Sequence, residues 1–493
     1  MPDLQPDGST IDVGILRLRT PGISGTAEVV PPAQRGTRLR SFDAATLDAA
    51  LANQGMATRH LVEIDVSDNV NRPSAASVVP TRRSDAEPVM ELEVPDLGAN
   101  TAQVVLSVDE QGLVTWNLPI TRTGSLDTMR GAGDLLFQIR SYSPEADTAP
   151  GARGVFGNLG KKVLRVLAFP LLEAGTKLIA DDLAEFWEKR KRPYNLRDFV
   201  PGSQFRSSST IVDSGTLNKL SDGPALLLLH GTFSRAHGAF GKIPNDDLAA
   251  LHRRYGGRII AFDHFTMAHD PVRNVEELLT WLPANANLEL DILSHSRGGL
   301  VGRTLAEMQS ALSLGQRTIR VRRHVFIASP NAGTALADTD YLGDLIDAYT
   351  NILQFLPSNG VSETLEAIIL VAKHIAAGAV DGLPGLQAMR PGGNFLGRMN
   401  VAQAVTPAYF AMAANFEPKQ AGLKEWAKDR LLDTIFKGEN DLVVPTAGVW
   451  GENGSGLFAI DQRKVFGTSD GVWHSGFFQN ADARTQILDW LPG

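Results

Sequence analysis

Ser296 stands at the apex of residues 288–300, LELDILSHSRGGL. An apolar run ends abruptly in Ser294-His295-Ser296-Arg297-Gly298-Gly299, and a helical pattern follows. The spacing predicts a strand, a sharp turn and a helix, a geometry that holds a serine hydroxyl out above the C-terminal edge of a sheet. A serine hydroxyl is a poor nucleophile until a base takes its proton, and the base needs an acid to orient it. The chemistry expected of such a serine is attack on an acyl carbonyl.

The base and the acid follow by elimination. In the chain order serine, acid, histidine, only His324, His374 and His474 lie downstream of Ser296. His324 falls inside a predicted strand and His374 in mid-helix. His474 lies in a loop, over 468–475, at the edge where a base must sit. Asp441, in the turn Gly438-Glu439-Asn440-Asp441, is the expected acid, with Glu439 as fallback. An oxyanion needs two N–H donors. Arg297 supplies one at a helix N-terminus, where the dipole favours negative charge. The loop His230-Gly231-Thr232-Phe233 supplies the other, from Thr232 or alternatively Phe233. Losing one such donor costs about 3–4 kcal/mol of transition-state stabilisation. His230 reads as a structural residue. Phe233, His295, Asp263 and His264 are the substrate-binding candidates, the last two also as loop-structuring residues. Asp246-Asp247 and Asp338–Asp340 have no histidine spaced to join them, so no metal is expected.

The elements that must position these residues begin at about Gly202. Strands are predicted over 225–229, 258–263, 288–293, 323–328, 431–436 and 464–467. Helices fall over 246–255, 274–282, 299–312 and 481–491. Alternation of this kind predicts an α/β fold, a doubly wound and mostly parallel sheet. A mostly helical, apolar stretch over 335–405 interrupts it and is expected to act as a lid and acyl-binding wall.

Residues 202–493 resemble the α/β-hydrolase superfamily, specifically its lipase and esterase-like members. The resemblance rests on His230-Gly231 after a buried strand, Ser294 to Gly299 at the elbow, Asp441 before Val444-Pro445, and His474. Ser329-Pro330-Asn331-Ala332-Gly333-Thr334 and Leu383-Pro384-Gly385-Leu386-Gln387 also look lipase-like. Ser294 departs from the usual glycine. The resemblance implies hydrolysis of carboxylic esters with an apolar acyl chain, through an acyl-enzyme on Ser296 and without a cofactor. Acyl transfer by the same residues is the near alternative. A non-catalytic binding or scaffold module governed by the N-terminal region is the distant one.

Residues 1–148 read as a smaller β-rich α+β domain for accessory or recognition work, with strands over 13–18, 60–66, 89–94, 104–108, 113–118 and 136–141 and a helix over 43–53. Residues 149–201 read as an amphipathic helical connector. Basic residues at both ends, Lys161-Lys162 and Lys189-Arg190-Lys191-Arg192, allow peripheral membrane contact through 161–192, although packing of its apolar face is the commoner fate. A net charge of −8 argues against a nucleic-acid partner, and the absence of cysteine excludes disulfides and thiolate chemistry. With no secretory leader and no membrane-length apolar run, a cytoplasmic protein acting on an ester or lipid is expected.

Overall fold

A computed structural model of the chain describes residues 1–30, 44–69, 89–98, 100–109, 112–120, 133–140, 161–170, 183–206, 212–353, 361–401, 407–419, 436, 438–450 and 460–493. The chain divides into two units. The first comprises Met1–Ala180, Ile346–Val380 and Lys419–Arg430, and the second Asp181–Leu345, Asp381–Pro418 and Leu431–Gly493.

The first unit holds strands β1 (Thr10–Val13), β2 (Leu16–Arg19), β3 (Ile23–Val30), β4 (Ala57–Asn69), β5 (Val89–Pro95), β6 (Thr101–Asp109), β7 (Val114–Asn117), β8 (Asp134–Arg140) and β9 (Lys161–Pro170). They form two antiparallel sheets, β1-β2-β5-β8 and β3-β4-β9-β6-β7. Leu16, Leu18, Ile23, Val62, Ile64, Leu92, Val105 and Phe137 share one buried core. The edge strand β7 is satisfied by polar side chains. Asp347 accepts from Trp116 N–H at 2.7 Å, and Asn351 bonds both the N–H and the carbonyl of Val114.

Three expectations fail here. The run over 13–18 is a hairpin of two strands turning at Gly14, whose φ of +68° suits glycine. Residues 161–170 are a strand, not the start of a connector helix. Leu164 to Phe169 of β9 are all buried, so both faces of the strand are covered and no alternation survives in the sequence. Lys162 and Arg165 are buried, and Arg165 pairs with Asp48 at 2.6 Å. A continuous amphipathic helix over 161–192, as drawn for membrane contact, is therefore not what this segment forms. Among the described residues, the segment also holds helix Leu183–Lys191, part of the second unit. The boundary drawn at 148 also fails, because β9 completes the first unit's sheet.

The insertion over 335–405 is not one piece. Helix Val361–Ala377 belongs to the first unit, where it packs on helix Ala44–Asn53. Asn53 donates to Glu366 at 2.9 Å, and Lys373 donates to the Gln54 carbonyl at 2.9 Å. Its apolar run is a packing face for that unit. Residues 381–401 remain with the second unit.

The second unit carries β10 (Asn195–Asp198), β11 (Ala225–Leu229), β12 (Ile259–Asp263), β13 (Asn287–His295), β14 (Thr318–Ile327), β15 (Ala408–Ala414) and β16 (Gln462–Phe466). They form one sheet in the order β10-β12-β11-β13-β14-β15-β16, parallel throughout except for β10. Successive residues of β11 serve opposite cores. Leu226 and Leu228 pack towards helices Asn245–Arg254 and Ala481–Trp490, while Ala225, Leu227 and Leu229 pack towards helices Pro271–Trp281 and Gly298–Glu307. β15 was not anticipated, and it is the sheet strand that precedes the Asp441 loop. The strand expected over 431–436 falls on residues outside the described ones, except for Phe436, which is helical.

Candidate active site

β13 runs into the elbow without a break in hydrogen bonding, since Ser296 N–H still donates to the Ile327 carbonyl at 2.8 Å. The chain then reverses at Ser296 with φ +52°, a left-handed conformation that a non-glycine residue adopts only under constraint. Two glycines make the turn possible. A Cβ on Gly298 would lie 2.2 Å from the Leu229 carbonyl oxygen, and one on Gly231 would lie 2.6 Å from Ser296 Cβ. The β11 loop and the helix N-terminus thus approach each other through missing side chains.

Ser294 is accommodated by a three-residue adjustment. Its Oγ lies 2.8 Å from His324 Nε2, and the His324 ring occupies the space a Cβ on Gly302 would need, at 2.4 Å. Burial holds the His324 imidazole neutral, well below its ordinary range. In this state its Nε2 accepts from, or donates to, the serine hydroxyl.

The structure brings together Ser296, His474 and Asp441 in a line. Ser296 Oγ–H donates to His474 Nε2 at 3.0 Å, and His474 Nδ1–H donates to Asp441 Oδ2 at 2.9 Å. Ser296 is 1% exposed and His474 0%. Asp441 Oδ1 accepts from the N–H groups of Val443 and Val444 at 3.0 and 2.8 Å, which fixes the carboxylate plane. Glu439 does not take part in this line, its residue serving the chain through a carbonyl that accepts from Thr446 N–H. His374 is in the first unit, bonded to the Leu370 carbonyl.

His295 and Lys242 fix the backbone around His474. His295 Nε2–H donates to the His474 carbonyl at 2.8 Å, and burial pushes the imidazole down to about 3, so it is neutral. Lys242 donates to the Ser475 carbonyl at 3.0 Å and lies 5.1 Å from the centre of the Trp473 ring, its amine pushed down to about 8 by burial. No pattern around Lys242 marked it in the sequence, because its partners lie more than 200 residues away.

Among the described residues neither Thr232 nor Arg297 has a partner for its backbone N–H, whereas the Phe233 N–H points to Thr266 Oγ1 at 3.4 Å. Of the two N–H groups left open by the sequence, that of Phe233 is therefore the one with a partner. Phe233 is wholly buried, with φ +56°. Thr232 Oγ1 faces the Met389 sulfur at 3.7 Å, so the 383–391 segment borders the donor loop. Thr334 N–H and Arg297 Nε–H tie this segment down at the carbonyls of Met389 and Gly385.

Asp263 and His264 are both tied into the surrounding chain. Asp263 accepts from Arg197 at 2.5 Å and from Ala236 N–H at 2.8 Å. His264 stacks on His230 at 4.1 Å, and each ring bonds the other residue's backbone at 3.1 Å. Burial pushes His230 down to about 3 and His264 well below its usual range, which suits neutral rings that both donate and accept.

A sheet in this order, parallel but for β10, with a left-handed serine between its central strand and the following helix, is the α/β-hydrolase fold. Similar solved structures include lipase 1 from Pelosinus fermentans, at 15% identity and a TM-score of 0.37 over 55% of this chain and 96% of that one. EstA from Clostridium botulinum is similar at 13% identity and a TM-score of 0.39, over 65% and 99% of the two chains. The enol-lactonase from Burkholderia xenovorans LB400 follows at 12% identity and 0.30, over 61% and 96%. Likenesses this distant say nothing of substrate. None of the curated proteins compared matches the chain. A family model matches residues 191–492, and the chain belongs to that family, described as Domain of unknown function (DUF7379).

Proposed function

We propose that this protein is a serine hydrolase that cleaves carboxylic esters. The observation that carries the proposal is the unbroken line from Ser296 Oγ through His474 to Asp441, with contacts of 3.0 and 2.9 Å. His474 Nε2 takes the hydroxyl proton as Ser296 attacks the acyl carbonyl. Asp441 holds the Nδ1–H tautomer and stabilises the imidazolium that forms. The N–H groups of Thr232 and Arg297 receive the oxyanion. Collapse of the tetrahedral intermediate expels the alcohol, protonated by His474, and leaves an acyl-enzyme. Water attacks that ester by the reverse proton path and frees the acid.

An apolar acyl chain is the preferred substrate in this reading. Support comes from the buried apolar side chains Leu383, Leu386, Met389, Phe395 and Leu396 in the segment that borders the donor loop. The proposed acyl wall is this short segment, not the full 335–405 stretch.

A fluorophosphonate probe tests the chemistry. Wild-type protein should be labelled on Ser296, and Ser296→Ala should not be labelled. A series of p-nitrophenyl esters of graded length should give the highest kcat/KM beyond acetate. Folded wild-type protein that takes no label would sink the hydrolase reading.

A further inference from the structure

Helix Leu183–Lys191 buries one carboxylate, Glu188, which is 1% exposed. Its oxygens accept from three successive backbone N–H groups of a single turn. Oε1 takes Thr266 N–H at 2.6 Å and Met267 N–H at 3.2 Å, and Oε2 takes Ala268 N–H at 2.9 Å. The Thr266 hydroxyl donates to the same Oε1 at 3.3 Å and accepts from Phe233 N–H at 3.4 Å. A chain of hydrogen bonds therefore runs from Glu188 through Thr266 to the residue beside Thr232.

The other side of this turn is held by Arg297. Its guanidinium donates to the carbonyls of Phe265, His269 and Gly385 and to Asn274 Oδ1. Burial raises the Glu188 carboxyl, but all its named partners are donors, an arrangement that the ionised form satisfies. Phe233 needs such a hold. A phenylalanine at φ +56° returns to commoner backbone conformations when nothing opposes it, and its peptide is shared with Thr232.

We propose that Glu188 and Thr266 are positioning residues: they draw the Phe233 N–H away from the reacting carbonyl and so aim the neighbouring Thr232 N–H at the oxyanion. The proposal rests on the serine hydrolase reading. It also places part of the machinery outside the matched family region, since Glu188 precedes residue 191.

The test compares Thr266→Val, which removes the hydroxyl at nearly constant volume, with Thr266→Ser, which keeps it, and with Glu188→Gln. Rates with p-nitrophenyl butyrate are expressed per site titrated by fluorophosphonate. T266V should lose about tenfold to a hundredfold in kcat with KM within about twofold, less than the full loss of a donor. T266S should recover most of that, and E188Q should lose kcat in the same sense. Affinity for a boronic acid, whose adduct mimics the tetrahedral intermediate, should fall with kcat. If T266V does not fold, Thr266→Ala carries the same comparison. Unchanged kcat per titrated site in these variants, with only Tm or active fraction reduced, would overturn the positioning role. Absence of labelling in the wild type would instead overturn the hydrolase reading.

Discussion

Asp441→Asn is the most revealing single substitution, because the surrounding backbone dictates how the new amide must sit. Oδ1 accepts from Val443 and Val444 N–H, at 3.0 and 2.8 Å. Only the carbonyl oxygen of an asparagine can do the same, so its NH₂ must take the place of Oδ2, 2.9 Å from His474 Nδ1. Two donors then face each other unless the imidazole moves its proton to Nε2. That tautomer cannot accept from Ser296 Oγ, and the base is lost while packing is nearly intact. Wrong-tautomer variants of such triads lose about 10⁴-fold in kcat, which is about 5.4 kcal/mol at 1.36 kcal/mol per factor of ten. Pre-steady-state hydrolysis of a p-nitrophenyl ester should show the acylation burst slowed by this factor, with Tm changed little. A D441N protein that acylates within tenfold of wild type would refute the argument and move the acid elsewhere.

The elbow and the buried histidines give further expectations. Gly298→Ala sets a Cβ 2.2 Å from the Leu229 carbonyl oxygen, a backbone atom that cannot swing aside, and should cost about 3 kcal/mol in urea unfolding. Ser294→Gly restores the residue usual at that position, yet should destabilise the protein by about 1–3 kcal/mol by leaving buried His324 without its 2.8 Å partner; a stabilised variant would contradict the adjustment described above. His230 and His295 have folded-state values of about 3, against about 6.5 when unfolded. Each is neutral in both states above pH 6.5, so its contribution is intact there. Between about 6.5 and 3 only the unfolded state takes the proton, and each histidine removes about 1.4 kcal/mol of stability per pH unit. His295→Gln should lessen that slope by one such increment in urea titrations at pH 6 and 5, and an unaltered slope would show that His295 is not the proton site.

That Ser296, Asp441 and His474 lie in one hydrogen-bonded line was legible in the sequence because their constraints are local. Small residues bracket the serine, Ser294 before it and Gly298-Gly299 after it, and turn residues precede the aspartate. β9 was misread for an equally local reason. Leu164, Leu167 and Leu171 repeat at helical spacing, and a strand buried on both faces has no alternation to oppose that pattern. β15 reads AYFAMAA, poor in the β-branched residues that mark strands. The helix over 361–377 announced an apolar face but not what it packs on, since pairing with helix Ala44–Asn53 spans more than 300 residues. The contact that distinguishes Phe233 from Thr232 is made by Thr266, and Thr266 is in turn held by Glu188. Such relays have no sequence signature, because each link is a hydrogen bond between distant segments.

The backbone strain of the second unit points the same way as its side chains. Among the described residues the non-glycine residues with positive φ are Phe233, Ser296, Ala328 and Leu442, at +56°, +52°, +51° and +81°. All four lie beyond C-terminal ends of sheet strands or in the Asp441 loop, and each is tied by its own N–H. Ser296 donates to Ile327, Ala328 to Met412, Leu442 to Asn440 Oδ1 and Phe233 to Thr266. At about 1–3 kcal/mol each, four such residues cost a sum comparable to the net stability of a whole domain. A fold whose only task was packing would gain by relaxing them. Under the proposed hydrolase function their clustering around one serine is what a pre-organised site requires: the cost is met during folding, so that the donors, the hydroxyl and the base need not reorganise when a substrate arrives.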